Sequence, residues 1–512
     1  MRSGTRYLVG SVIGLAAIVV FVAACSRVAG AQGAAQDAVA EAQTPRDVQA
    51  TRPEQQKTPH DRSDAFNPAK APKSSTALES QPDKGEVRGF DFSRDPLNAK
   101  RPMQTADEIM KQDIADKPKV MEAHRKLLES RYDLKPRLDP AAKMSRGKPL
   151  PVGPTARLAG GMTWEKLAGM SAEQIKSANA FPYPSLPHPK HATGGQVFPQ
   201  AQTAMFPRLE RFDVEFDLPE AFIPEFPPAI FLQNRPELGD VSRGEVVSIN
   251  NFHRLFKDIL TPVQLDGLRL LVTPLPQEEF NPTDDRKTVN PTLGVTCLDC
   301  HVNGHATAQF HLNPDDRPQH RRFRLDTTSL RGVNQQQIHG SKRSLRSIED
   351  FTEFEQRTAY FNGDPTHAMK KGFTELPRIA VSHMAQMQNM FDFPPAPKLN
   401  PLTNRLDPSK ATESEMRGQE LFFGKAQCST CHSGPAFLDH QMHDLHLERF
   451  LNEPGDGPIK TFTLRGIKDS PPYMHDGRCL TLEDTVEFFN LVLQLKLNQQ
   501  EKGDLVAFMR QL

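Results

Sequence analysis

Apolar residues are unevenly spread along the 512-residue chain, and their spacing divides it into zones. An apolar run from Leu8 to Ala24 follows Arg2 and Arg6 and is broken by Gly10 and Gly14. It is too short for a stable membrane helix, so residues 1–24 read as an export signal. Residues 25–94 are rich in Ala, Gln, Pro, Lys and Asp, with few large apolar side chains. Such a stretch buries too little surface to offset its ordering entropy, which predicts a disordered tether. Residues 95–250 are irregular and rich in proline. Within them Val120, Leu127 and Leu128 lie at helical spacing over Pro118 to Tyr132, and Ser171-Ala172-Glu173-Gln174 reads as a capping box. Phe181-Pro182-Tyr183-Pro184 and Phe226-Pro227-Pro228 predict extended loops.

Beyond residue 250 the pattern repeats. Thr261-Pro262-Val263-Gln264, with Gly267 six positions after the Thr, parallels Thr412-Glu413-Ser414-Glu415 with Gly418. Both predict a capped helix start. Cys297-Leu298-Asp299-Cys300-His301 parallels Cys428-Ser429-Thr430-Cys431-His432. Leu330-Arg331-Gly332-Val333 parallels Leu464-Arg465-Gly466-Ile467, and Ile348-Glu349-Asp350 parallels Leu482-Glu483-Asp484. Four landmarks in one order predict two similar domains, 251–395 and 396–512. Neither half alternates as strands do, so the expected fold is mainly α.

Charge adds one exclusion. The formal net charge is zero, which gives no reason to expect a nucleic acid partner. The six cysteines add more. Val22-Ala23-Ala24-Cys25 looks like a bacterial lipobox, implying cleavage before Cys25 and a lipid on its sulfur. Ser26 in place of Asp points that anchor to the outer membrane, with ordinary lipid-free cleavage as the other reading. Four cysteines form two pairs, each followed directly by His. Two thiols at this spacing can add to the vinyl groups of one haem, placing the next His beneath its iron. Zinc or a redox disulfide is the alternative. Exported thiols without a cofactor tend to oxidise, and the following His favours two covalent haem c groups. Cys297, Cys300, Cys428 and Cys431 are then the attachment residues, and His301 and His432 the proximal ligands. Cys479 is left as a small buried thiol.

The segment Ser470-Pro471-Pro472-Tyr473-Met474-His475-Asp476-Gly477-Arg478, between Leu464-Arg465-Gly466 and Thr481-Leu482-Glu483-Asp484, resembles the second haem domain of the bacterial di-haem cytochrome c peroxidases and MauG-type enzymes. The likeness covers roughly residues 250 to 512. It implies two tandem class I cytochrome c-like haem domains behind an irregular N-terminal extension, in the periplasm. It further implies reduction of hydrogen peroxide with electrons from a small cytochrome c or cupredoxin. An electron-transfer lipoprotein and a MauG-like oxidase or oxygenase are the competing functions.

The resemblance also marks departures and candidates. Fourteen residues past His475, where the peroxidases have an axial Met and MauG-type enzymes a Tyr, stands Phe489. Met474 is a candidate distal ligand, with core packing as its other role, and His443 and His446 are near in sequence. The stretch matching the family's bridging Trp reads Gln337-Ile338-His339-Gly340-Ser341, and the single Trp, Trp164, is far upstream. Glu355 and Glu353 are candidates for the acid–base role, and His311, His320 and His339 for a displaceable ligand at the first haem. The family's calcium ligands map to Asp326, Ser470 and Pro472.

Overall fold

The structure is a computed structural model that describes residues 106–186, 218–274, 276–277, 292–293, 296–308, 310–312, 324–342, 345–356 and 376–512. All of these belong to the compact unit 88–512; a second unit, 1–87, lies outside the described residues. The expected export signal, lipid site and tether therefore also lie outside them. Among the described residues no helix is long and apolar enough to cross a membrane.

The described chain is mostly helical with short strand pairs. Its N-terminal part is more regular than the sequence suggests. Helix α1 spans Ala106–Arg131 and contains Pro118. Its first half has few apolar residues, so hydrophobic spacing exposes only its second half. Strands β1 (Arg137–Lys143) and β2 (Pro149–Val152) form an antiparallel hairpin. The register shifts between Leu138 and Lys143, which accommodates Pro140 in a strand. Short helices α2 (Trp164–Ala168) and α3 (Ala172–Ser177) follow, and the capping box at Ser171 and Gln174 is formed as expected.

The repeat is visible as matching helix pairs. After the short α4 (Phe252–Phe256), α5 (Pro262–Leu271) starts on the Thr261–Gln264 capping box and packs against a later helix, Arg378–Gln388. Between these two lie α6 (Cys297–Cys300) and α7 (Ile348–Glu355), so Arg378–Gln388 is α8. In the second copy α9 (Glu413–Phe423) starts on the Thr412–Glu415 box, α10 (Leu482–Val492) on Thr481–Asp484, and α11 (Gln499–Met509) on Asn498–Glu501. Helix α9 packs against α11 as α5 does against α8.

The recurring glycines explain these crossings. A Cβ on Gly267 would collide with the carbonyl oxygen of His383 and stand 3.0 Å from the Met387 Cβ. A Cβ on Gly418 would collide with the carbonyl oxygen of Asp504 and stand 2.9 Å from the Phe508 Cβ. Each helix pair is thus in backbone contact at one position where only hydrogen fits.

Each pair organises its own core. Phe256, Leu268, Leu271, Met384 and Met387 are buried together around α5 and α8. Phe422, Phe437, Phe488, Leu491 and Phe508 are buried together around α9 to α11. The Phe422 ring meets Phe437 edge-on at 5.7 Å and Phe508 at 5.2 Å. Full burial of each such side chain contributes roughly 1.5–3 kcal/mol. The N-terminal part joins these cores. Phe181 meets Trp164 at 5.3 Å and Phe488 at 6.4 Å, and Leu128, Tyr132 and Phe222 enclose Leu480.

Candidate haem site

The second Cys-x-x-Cys-His segment is a 3-10 turn at Cys428–Thr430, entered through Gln427 in the left-handed region (φ 54°). The His432 amide closes the turn on the Cys428 carbonyl at 2.9 Å. The His432 ring has its Nδ1 2.9 Å from the Phe437 carbonyl oxygen. A carbonyl can only accept, so Nδ1 carries the proton and Nε2 presents its lone pair. Burial lowers the His432 pKa, while the Phe437 carbonyl, Asp439 and the Phe462 carbonyl oppose it. The ring is therefore neutral, as an axial ligand must be. Burial also pushes the Cys428 thiol up to about 12 and raises Cys431.

Cys431 and His432 line a cavity of about 270 Å³. Met474, Phe489, His443 and Leu464 line it too, and the first copy contributes His305, Ser329 and Asp326. Met474 has φ 73°, in the left-handed region that non-glycine residues seldom adopt. It sits in a tight loop closed by paired backbone bonds between Tyr473 and Cys479. Such a backbone outlier persists only where its surroundings hold it.

Those surroundings are a buried polar cluster. The Arg478 guanidinium is 2.9 Å from Asp476, 2.6 Å from Asp456 and 2.5 Å from Ser185 Oγ. Tyr132 donates its hydroxyl to the Arg478 carbonyl, and Asp484 accepts from the Thr155 and Ala156 amides at 2.7 and 3.0 Å. Residues of the N-terminal extension thus hold both ends of the His-Asp-Gly loop. Sequence reasoning missed them, because isolated Tyr, Thr and Ser residues carry no local signal.

The first Cys-x-x-Cys-His segment is helix α6, capped by reciprocal bonds between Thr296 and Asp299. After His301 the chain turns through Asn303 (φ 51°) and Gly304 (φ 76°). The Asn303 side chain accepts from the Val247 amide and donates to the carbonyls of Pro228 and Glu245. His305 is buried, with Nδ1 2.8 Å from Ser329 Oγ and Nε2 3.0 Å from the Asp469 carbonyl. Arg331 reaches the Asp469 carboxylate at 3.3 Å. Asp469 therefore joins the turn after the first motif to the wall of the second motif's cavity.

The other expected residues are placed as follows. Glu353 pairs with Arg378 at 2.5 Å on an exposed face of α7, and Glu355 ends that helix; neither lines the cavity. His339 is buried, and burial together with the positive charge of Lys460 lowers it to about 4. The His311 side chain and all of His320 lie outside the described residues. His443 pairs with Asp439 at 2.6 Å beside the cavity, and His446 is exposed beside Asp444 and Glu448. Asp326 and Ser470 line the same cavity, and the Asp326 amide donates to the His475 carbonyl at 2.8 Å. Burial pushes the Asp326 carboxyl well up, against the pull of Arg324. Pro472 lies in the same loop. Cys479 is fully buried, as expected for an inert thiol.

These residues fit a haem better than zinc. Zinc would draw both thiols of the second pair, as thiolates, to one point with other donors. Only Cys431 of that pair converges with other donors, Asp439 and His443. A cavity lined by the motif, a neutral imidazole with its Nδ1 engaged, and two thiols three positions apart in the chain match covalent haem attachment. The site is of the class that could hold a c-type haem.

Known proteins agree with that class. Cytochrome-c peroxidase IdrP1 of Pseudomonas sp. (strain SCT) is 29% identical over 157 residues, covering 21% of this chain and 41% of that protein. Methylamine utilization protein MauG of Methylorubrum extorquens is 33% identical over 129 residues, covering 21% and 36%. Cytochrome c551 peroxidase of Nitrosomonas europaea is 31% identical over 121 residues, covering 21% and 36%. The chain thus spans about two fifths of the length of these curated relatives. No family model matches. A solved MauG-like protein associated with microbial copper homeostasis overlays with a TM-score of 0.33 at 18% identity, covering 58% of this chain and 94% of that one. That overlay is too loose to carry an argument. The chain is a relative of the di-haem cytochrome c peroxidases and MauG, as its sequence suggested.

Proposed function

We propose that the protein is a periplasmic di-haem c-type oxidoreductase that reduces hydrogen peroxide to water. Its electrons come from a small cytochrome c or cupredoxin, and a lipid on Cys25 holds it at the outer membrane. The observation that carries the reading is His432, with Nδ1 held on the Phe437 carbonyl, in a cavity it shares with Cys431. The same Cys-x-x-Cys-His pattern recurs at Cys297, Cys300 and His301. Haem bound at these residues supplies one-electron redox chemistry. The protein's own part is to orient His432 through Phe437, hold Met474 and His475 in the Arg478-braced loop, and place apolar Phe489 on the cavity wall. Glu355 and Glu353 remain the proposed acid–base groups of the first site, and Asp326, Ser470 and Pro472 the proposed calcium ligands.

A MauG-like oxidase is the second reading, and Phe489 favours it, because that side chain offers no iron ligand where the peroxidases have Met. The test is peroxide-dependent oxidation of a reduced small cytochrome c, before and after half-reduction of the holoprotein. Turnover that His301→Ala abolishes supports the peroxidase. Peroxide reactivity at a haem without turnover supports the oxidase. Two six-coordinate haems that ignore peroxide would leave an electron carrier.

A further inference from the structure

The walls of the His432 cavity hold several charged groups, and each described cation of this lining but one has a carboxylate at hand. Asp456 faces Arg478 at 2.6 Å, and Asp326 is offset by Arg324. Arg331 faces Asp469 at 3.3 Å, and His443 faces Asp439 at 2.6 Å. The positive charge of Arg465 is supported by Asp392.

Lys460 is the exception among the described cations of this lining. Its side chain is 7% exposed, in the two-residue strand Ile459–Lys460, and borders the cavity. Its ammonium donates to Gln336 Oε1 and to the Ile338 carbonyl at 3.3 Å, both from the first repeat. The Phe462 ring lies 4.7 Å away. These neutral partners take two of its three N–H donors. Burial alone, with no carboxylate opposing it, brings the group down to about 7. A buried cation without a counter-ion is costly. Every other described cation of this wall has a carboxylate partner.

We propose that Lys460 is the binding site for a carboxylate arm of the prosthetic group in the His432 cavity, with Gln336 and Ile338 aiming the ammonium. This rests on the haem reading above and adds a specific electrostatic role within it. A haem c brings two carboxylate arms and would supply the missing counter-charge. The cation then favours the reduced, more negative form of the group. Because its aiming partners come from the first repeat, the potential of the second site depends on how the two repeats are seated.

The experiment uses the full holoprotein, with covalent haem content and both midpoint potentials measured by spectroelectrochemistry. Lys460→Met is expected to keep two covalent haems and lower one potential only. At a fixed potential its oxidised-to-reduced ratio rises on the order of tenfold, as for one unit charge at about 12 Å in an effective dielectric near 20. Lys460→Arg is expected to restore most of it. Gln336→Glu, which supplies a competing carboxylate without altering Lys460, is expected to lower the same potential and keeps the question answerable if Lys460→Met does not fold. Unchanged potentials in both variants, with two haems bound, overturn the Lys460 assignment and leave the haem reading standing. A chain with no covalent haem overturns both.

Discussion

The hydroxyl of Tyr132 donates to the carbonyl oxygen of Arg478 at 2.7 Å, joining residues 346 positions apart. Both side chains are buried, and Arg478 closes the loop that carries Met474 and His475 to the cavity wall. Tyr132→Phe removes one buried donor and leaves the carbonyl unsatisfied. A loss of about 1–3 kcal/mol in unfolding free energy is expected. Chemical denaturation of the holoprotein measures it. An unchanged midpoint would mean that the extension only covers this loop and does not brace it.

The two crossing glycines and a third one make an internal control. Gly267→Ala and Gly418→Ala each press a methyl into a facing backbone carbonyl, and each is expected to cost about 1–3 kcal/mol. Gly503 lies inside α11, and a Cβ added there would meet nothing within 4 Å. Gly503→Ala is expected to gain about 0.5–1 kcal/mol from helix propensity. Thermal unfolding of the three variants should order them in opposite directions. Equal effects would show that the close crossings are not where the structure places them.

Much of the repeat was legible because its signals are local. Capping boxes at Ser171, Thr261 and Thr412, the Cys-x-x-Cys-His turns and the recurrent glycines all act within a few residues, and the structure forms them. What stayed hidden depends on residues distant in sequence. The grip of Tyr132 and Ser185 on Arg478, of Thr155 on Asp484, and of His305 on Asp469 is made across more than 160 positions. The polar first half of α1 and the Pro-containing strand β1 were hidden for another reason: neither shows the apolar period of its own element.

Acid stability should report His339. Burial, then the charge of Lys460, holds its folded pKa near 4, against an ordinary histidine value of 6.5. The unfolded chain therefore takes a proton in a range where the folded chain does not. The stability linked to this group is fully present above about 6.5 and is lost as pH falls from there to about 4. His339→Gln should flatten that part of the stability–pH curve while carboxylate effects at lower pH persist. Denaturation midpoints between pH 4 and 7 for both proteins decide it. Parallel curves would mean that the His339 ring is hydrated in solution.

Phe489 and Met474 border the same cavity, and only one of them can ligate iron. Phe489 stacks edge-on against Phe488 at 5.3 Å, so its ring is seated by the α10 core. Phe489→Met would place a thioether on a wall that now has a hydrocarbon ring. If the native second site has an open face, this variant should convert it to a six-coordinate, low-spin spectrum and raise its potential, because thioether ligation favours the reduced iron. Met474→Leu should then leave the spectrum unchanged. If Met474 is the native ligand, the outcomes reverse: Met474→Leu opens the site, and Phe489→Met changes little. Electron paramagnetic resonance and visible spectra of the two variants distinguish the cases, and the result also separates the proposed functions. An open second site that Phe489→Met closes to peroxide locates the reactive face beside α10, which favours the MauG-like reading.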